Sequence, residues 1–219
     1  MEHPGVSRVV KPVRLAVLLS GSGTTLQNLI DRIADGRLAA RIVVVIGSRT
    51  DAGGLDRARR AGIAAVAVPR KDFATIDAFN DALHEELGRA EVDLVVLAGF
   101  LSPIQLRGRY AGRVLNVHPA LIPAFCGKGY YGERVHQAVL DAGVKISGCT
   151  VHFADDQYDT GPIILQGAVA VHDDDTPASL AARVHALEND LYPEAIRLWA
   201  EGRLEVIGRR VRIRPEAAR

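Results

Sequence analysis

Val13-Arg14-Leu15-Ala16-Val17-Leu18-Leu19-Ser20-Gly21-Ser22-Gly23-Thr24-Thr25-Leu26 is the stretch whose reading decides the fold. From Val13 to Leu19 the chain is short and almost continuously apolar, as a parallel strand covered on both faces must be. Leu26, Leu29, Ile30 and Ile33 then recur at helical spacing until Gly36 stops the helix. The order is strand, glycine loop, helix. Glycine lets backbone approach an anion closely. The free N–H groups of the helix's first turn, reinforced by its dipole and by the Thr24 and Thr25 hydroxyls, make a phosphate site. The loop holds only two of the three glycines of a dinucleotide fingerprint. The next strand, Ile42 to Ile46, ends in Gly47-Ser48-Arg49 without an acidic residue for an NAD ribose. A phosphate pocket leads, with a plain tight turn and a full dinucleotide site as alternatives.

Downstream, Gly53 to Ala61 reads as a helix, Ala64 to Val68 as a strand, and Asp72 to Arg89 as a helix with an apolar stripe at Phe73, Ile76, Phe79 and Leu83. Asp93 to Leu97 is the next strand, and Pro103 to Arg109 leads to a further one ending in Asn116-Val117-His118-Pro119. Glu133 to Leu140 is helical, while Lys145 to Phe153 and Ile163 to Val171 are strands. Thr176 caps a last long helix with Pro177 at its first position; Leu180, Val184, Leu187 and Leu191 form its stripe, and Pro193 is expected to kink or interrupt it. Leu204 to Ile213 suggests a hairpin around Gly208. The pattern predicts an α/β fold: an open, mostly parallel twisted sheet with helices on both faces, Rossmann-like, with an antiparallel element toward the C-terminus.

Asn116 and His118 sit two apart on a strand, so both side chains face one side, at a rim where α/β sheets bind ligands. Asn116 offers a donor to a developing oxyanion, and His118 transfers protons near neutral pH. An aspartate beside that imidazole would favour its charged form. The trio suits acyl transfer to an amine. No serine or cysteine occupies a nucleophile elbow, so direct transfer between two bound substrates is the simpler mechanism. Blander readings stay open: a buried histidine bonded to backbone, and an asparagine bridging a strand end. His152 reads as a core group or a support for another side chain, and His3, His84, His136 and His172 show no organised spacing. His185 and Glu188, three apart on the last helix, could reach a ligand together or form an inconsequential surface pair. The loop Ala154 to Pro162 carries three aspartates, Asp155, Asp156 and Asp159, but no glutamate follows at EF-hand spacing, and no metal is expected.

With 219 residues, 48% hydrophobic and 24% charged, and a net charge of +1, the chain suits one sizeable domain with a small-molecule partner. Neither a nucleic-acid nor a membrane partner is expected. Cys126 and Cys149 lack zinc or disulfide spacing and read as reduced thiols. Met1 to Lys11 has no signal-peptide core, and a cytoplasmic protein is expected.

Five segments together resemble the phosphoribosylglycinamide formyltransferases, enzymes of purine synthesis that use 10-formyltetrahydrofolate. They are Ser20-Gly21-Ser22-Gly23-Thr24, Val96 to Phe100, Leu115 to Pro123, Val151-His152-Phe153 and Asp159 to Gln166, and the likeness runs from about Leu15 to Arg203. The resemblance implies formyl transfer to the amine of glycinamide ribonucleotide, with Asn116, His118 and Asp159 catalytic. It implies ribonucleotide contacts from Gly23, Thr24, Thr25, His185 and Glu188. Folate contacts would come from Phe100, Leu101, Asn116 and Asp159, with no metal. It divides the chain into an N-terminal extension (1–12), a formyltransferase domain (13–208) and a tail (209–219). Within the domain, 13–112 would be the phosphate and ribonucleotide half and 113–208 the catalytic and folate half. A monomer or homodimer is expected.

The sequence departs from the family where Leu101-Ser102-Pro103 replaces Met-Arg-Ile, where Cys126 to Gly132 forms a longer loop, and where Ile76 replaces a folate-binding arginine, with Arg70 and Lys71 nearby. A formyltetrahydrofolate deformylase, a methionyl-tRNA formyltransferase and a catalytically silent nucleotide sensor are the rival readings. Length and Pro119, where deformylases tend to have a second histidine, weigh against the first; length also weighs against the second, and retention of all three catalytic positions against the third.

Overall fold

A computed structural model of the protein describes residues 11–216. The expected extension over 1–12 lies almost wholly outside the described residues, as does the end of the expected tail.

β1 (Val13–Leu19) is buried along nearly its whole length because its two faces feed two apolar layers. Leu15, Val17 and Leu19 point to one layer, where Leu26 and Leu29 of α1 (Thr24–Ala34) and Leu55 and Ala58 of α2 (Gly53–Arg60) meet them. Ala16 and Leu18 point to the other, against Phe79, Leu83 and Leu87 of α3 (Ile76–Arg89). The period-two alternation of a strand thus places helices on both sides.

β2 (Ala40–Gly47), β3 (Ala65–Ala67), β4 (Leu94–Leu97) and β5 (Val114–His118) continue the sheet in parallel. β6 (Ile146–Phe153) and β7 (Ile163–Ala170) join it antiparallel. β8 (Leu204–Ile207) and β9 (Arg210–Ile213) form a hairpin whose second strand lies parallel to β7. The single nine-stranded sheet has the order β3-β2-β1-β4-β5-β6-β7-β9-β8. The order reverses between β1 and β4, so a crevice opens beyond their C-terminal ends. α4 (Glu133–Asp141) and α5 (Pro177–Ala200) flank the antiparallel part, sharing a core of Val139, Cys149, Leu180 and Val184.

Three expectations are corrected. The helix expected from Asp72 begins at Ile76: a short 3-10 turn occupies Arg70–Asp72, and Thr75 caps α3 by accepting from Ala78 N. α5 runs unbroken through Pro193. Proline lacks the N–H that would bond the Asn189 carbonyl four residues back; Asn28 Nδ2 of α1 donates to that carbonyl instead, at 2.9 Å. The boundary expected at 208 falls inside the hairpin turn, since β9 pairs with both β8 and β7 and belongs to the sheet.

No helix among the described residues is long and apolar enough to cross a membrane.

Candidate active site

A cavity of about 760 Å³ opens at the C-terminal ends of β1, β4 and β5, and every residue singled out as a site candidate lines it. Its centre is the pair on β5. Asn116 and His118 lie opposite His152 and Thr150 of β6. The residue pairing between β6 and β7 shifts between Val151 and His152, a bulge that alters the local twist beside the site. Thr150 Oγ1 accepts from Ile122 N and donates to Ala120 O, fastening the turn that follows His118.

Asp159 closes the trio from the loop before β7. Its Oδ2 lies 3.5 Å from His118 Nδ1, and its Oδ1 accepts from Asn116 Nδ2 at 3.3 Å. Gly127 N donates to Oδ2 at 2.9 Å. Asp159 holds a left-handed backbone, φ 58°, costly for a residue with a Cβ. The neighbouring Gly161 brings the chain so close to β6 that a Cβ there would stand 1.8 Å from the Phe153 carbonyl oxygen. Burial pushes the Asp159 carboxyl up, but the nearby His152, the charge of His118 and the Gly127 N–H outweigh it and hold the group below the usual carboxylate value.

His118 is almost fully buried. Its Nε2 pairs with the Phe125 carbonyl at 2.8 Å, so the backbone-bonded reading describes one nitrogen and the acidic partner the other. Phe125 is itself left-handed, φ 50°.

The opposite end of the cavity is the start of α1. Gly23 takes φ 75°, no side chain caps the helix, and its first turn carries no acidic residue. The first N–H groups therefore have no intrahelical acceptor, and Gly23 lines the cavity. α2 braces this loop: Gly54 N donates to Gly21 O at 3.1 Å and Arg57 Nε to Ser22 O at 2.8 Å. Thr24 and Thr25 line the same end. Across it stands Glu188 of α5, only 4% exposed, with Oε2 2.5 Å from His185 Nδ1. The pair is thus no free surface couple: its carboxylate is buried, and this hydrogen bond raises the His185 imidazole against a smaller desolvation effect.

Phe100 and Leu101 border the cavity differently. The Phe100 ring stacks on Phe79, with centroids 6.4 Å apart, and belongs to the core, whereas Leu101 is 53% exposed. Leu101 N donates to Ser20 Oγ at 2.9 Å, tying this segment to the end of β1. Arg70, Lys71 and Ile76 do not line the cavity. The other two aspartates of the acidic loop are engaged elsewhere: Asp155 accepts from Thr160 Oγ1 and Asp156 from Leu106 N. Among the described residues no cluster of three or more His, Cys, Asp or Glu side chains could hold a metal ion.

Two histidines gain a place that spacing did not give them. His152, 1% exposed, pairs its Nδ1 with the Phe153 carbonyl at 2.8 Å. Its Nε2 lies 3.1 Å from Asn116 Nδ2 and 3.7 Å from Asp159 Oδ1, so His152 stands against both of these groups. His136 lines the cavity from the first turn of α4. Its signal was position: on that short helix it adjoins Val135 and Val139, on the core-facing side.

The formyl transferase family matches residues 13–196. The chain is 39% identical over 207 residues to the chloroplastic phosphoribosylglycinamide formyltransferase of Arabidopsis thaliana, covering 93% of this chain and 71% of that one. It is 41% identical over 194 residues to the trifunctional purine biosynthetic protein adenosine-3 of Bos taurus, spanning 88% of this chain but only 19% of that longer protein. The crystal structure of glycinamide ribonucleotide transformylase 1 from Symbiobacterium toebii superposes with a TM-score of 0.88 at 47% identity, covering 94% of this chain and 95% of its own. Since the family match takes in both the phosphate loop and the trio on β5 and its neighbours, the chain belongs to the formyl transferase family.

Proposed function

We propose that the protein transfers a formyl group from 10-formyltetrahydrofolate to the primary amine of glycinamide ribonucleotide, in de novo purine biosynthesis. The observation that carries this reading is the meeting of Asn116, His118 and Asp159 in a cavity whose far end is the uncapped start of α1.

Gly23, Thr24 and Thr25 receive the substrate phosphate on free N–H groups and hydroxyls. Glu188 holds the ribose, and His185, paired with it, stands beside the phosphate. The apolar segment that includes Phe100 and Leu101 fits the flat rings of a folate, with Asn116 and Asp159 supplying polar contacts at its inner edge. The folate supplies the activated formyl carbon. The amine nitrogen bonds to that carbon, giving a tetrahedral intermediate. The bond from carbon to the folate nitrogen then breaks, and one proton passes from the incoming to the leaving nitrogen. Asn116 stabilises the developing oxyanion, and His118 is the group placed to move the proton. Asp159 holds the imidazole through Nδ1, which leaves Nε2 for substrate once the Phe125 carbonyl yields. No side chain forms a covalent bond to substrate. We assign the protein to the cytoplasm as a monomer or homodimer, with no nucleic-acid or membrane partner and no metal requirement.

The test is an absorbance assay for folate deformylation with purified protein, glycinamide ribonucleotide and 10-formyltetrahydrofolate. Formation of formylated ribonucleotide in step with tetrahydrofolate is the expected result. No turnover with both substrates bound would overturn the reading, and formate release without the ribonucleotide would make the protein a deformylase.

A further inference from the structure

Among the described residues, two buried side-chain polar atoms have no hydrogen-bond partner: His136 Nδ1 and Ser147 Oγ. Of these only His136 borders the active-site cavity. An orphaned buried polar atom costs free energy and calls for an explanation.

His136 is 5% exposed and stands in the first turn of α4, which packs against α5. Glu188 and His185 of α5, His118 of β5 and Glu133 of its own helix are the titratable groups around it. Burial lowers its imidazole below the ordinary histidine value, more strongly than Glu188 raises it. A neutral imidazole has one nitrogen that accepts. Glu188 is an acceptor too: His185 Nδ1 occupies Oε2, and Oε1 bonds to no described residue. His136 and Glu188, on adjacent helices, both line the cavity. No protein hydrogen bond fixes the tautomer or the ring orientation of His136, unlike His118 and His152, each of which is held by a carbonyl.

Two neighbouring acceptors match a ligand with two neighbouring donors, and a vicinal diol is that ligand. We propose that His136 is a specificity-determining residue that contacts substrate, receiving one hydroxyl of the ribose diol while Glu188 receives the other. The proposal rests on the ribonucleotide reading above and extends it to a residue on a different helix.

The experiment compares the parent with His136→Phe, which keeps the ring's bulk, and His136→Leu as a second variant, each checked by thermal melting. Steady-state rates are measured with glycinamide ribonucleotide and with its 2-deoxyribose and 3-deoxyribose analogues. Both variants should raise KM for the ribonucleotide about tenfold, the weight of one hydrogen bond, with a much smaller change in kcat or in the folate KM. The parent's preference for ribose over one deoxy analogue should also collapse. His136→Gln, which restores an acceptor, should recover part of the affinity. If a folded variant uses the ribonucleotide as well as the parent does, or rejects both deoxy analogues as strongly, the assignment is overturned. A parent that does not turn over glycinamide ribonucleotide at all would overturn the functional reading itself, and this assignment with it.

Discussion

His118 Nδ1 stands 3.5 Å from Asp159 Oδ2, while the same histidine's Nε2 pairs with the Phe125 carbonyl. Each ring nitrogen faces an acceptor, one of them a carboxylate. Asp159→Asn keeps the shape but removes the charge and can turn a donor toward Nδ1. Turnover should fall by about a hundredfold or more, the usual weight of a proton-transfer group, while ribonucleotide KM changes by less than about threefold. Steady-state kinetics with saturating folate decide it. A loss confined to KM would mean that Asp159 binds substrate instead of holding His118.

Much of this site was readable from sequence, for reasons that also mark where reading stopped. β1 announced itself because a strand covered on both faces must be apolar throughout, and side-chain alternation alone put Asn116 and His118 on one side. Asp159 could not be told from Asp155 and Asp156 by residue type. What selects it is a left-handed backbone and the close approach at Gly161, tertiary facts with no local signature. His136 escaped for a related reason: it sits on an ordinary amphipathic helix and becomes part of the site only when α4 is placed, whereas His152, read as a core group or a support for another side chain, is buried beside Asn116. Pro193 misled because its missing N–H is compensated by Asn28, distant in sequence.

The His185–Glu188 pair carries a pH signature. The hydrogen bond to Glu188 lifts the His185 imidazole above its ordinary value of 6.5, with burial working against it. A group whose folded value is raised adds stability that is full below the unfolded value and fades as pH rises through the folded one. His185→Gln should therefore melt below the parent by the widest margin at pH below the ordinary histidine value, with the gap narrowing as the pH rises past it. A gap independent of pH would show that the pair's charge contributes nothing to stability.

Tyr192 tests how α5 is held against the sheet. Its fully buried hydroxyl lies 2.8 Å from the Leu115 carbonyl oxygen and 3.0 Å from that of Leu97, sharing one hydrogen between the neighbouring strands β4 and β5. Tyr192→Phe leaves both carbonyls without that donor. A loss of about 1–3 kcal/mol in denaturant unfolding is expected. An unchanged midpoint would mean that the two carbonyls are satisfied without it.

Asn28 and Pro193 form a pair that a double-mutant cycle can read. Asn28→Ala removes the donor that takes the carbonyl freed by the proline and should cost about 1–2 kcal/mol. With Pro193→Ala in place, the backbone N–H of residue 193 can take the Asn189 carbonyl, and the cost of losing Asn28 should shrink by more than half. Additive losses would separate the two residues and leave the continuity of α5 through Pro193 without its explanation.

Gly23 joins backbone geometry to substrate binding. At φ 75° it turns the chain from β1 into α1, and a Cβ there would stand 2.6 Å from Gly54 Cα, on the backbone of α2. Gly23→Ala thus meets both an unfavourable left-handed conformation, about 1–2 kcal/mol, and a contact relieved only by moving one helix away from the other. Moving the start of α1 displaces the N–H groups proposed to receive the phosphate. Ribonucleotide KM should rise about tenfold or more, with the folate KM little changed. Gly21, in the same loop, has open space where its Cβ would go, so Gly21→Ala should be far milder. Equal losses in the two variants would mean that crowding of the ligand, and not the clash with α2, governs this loop.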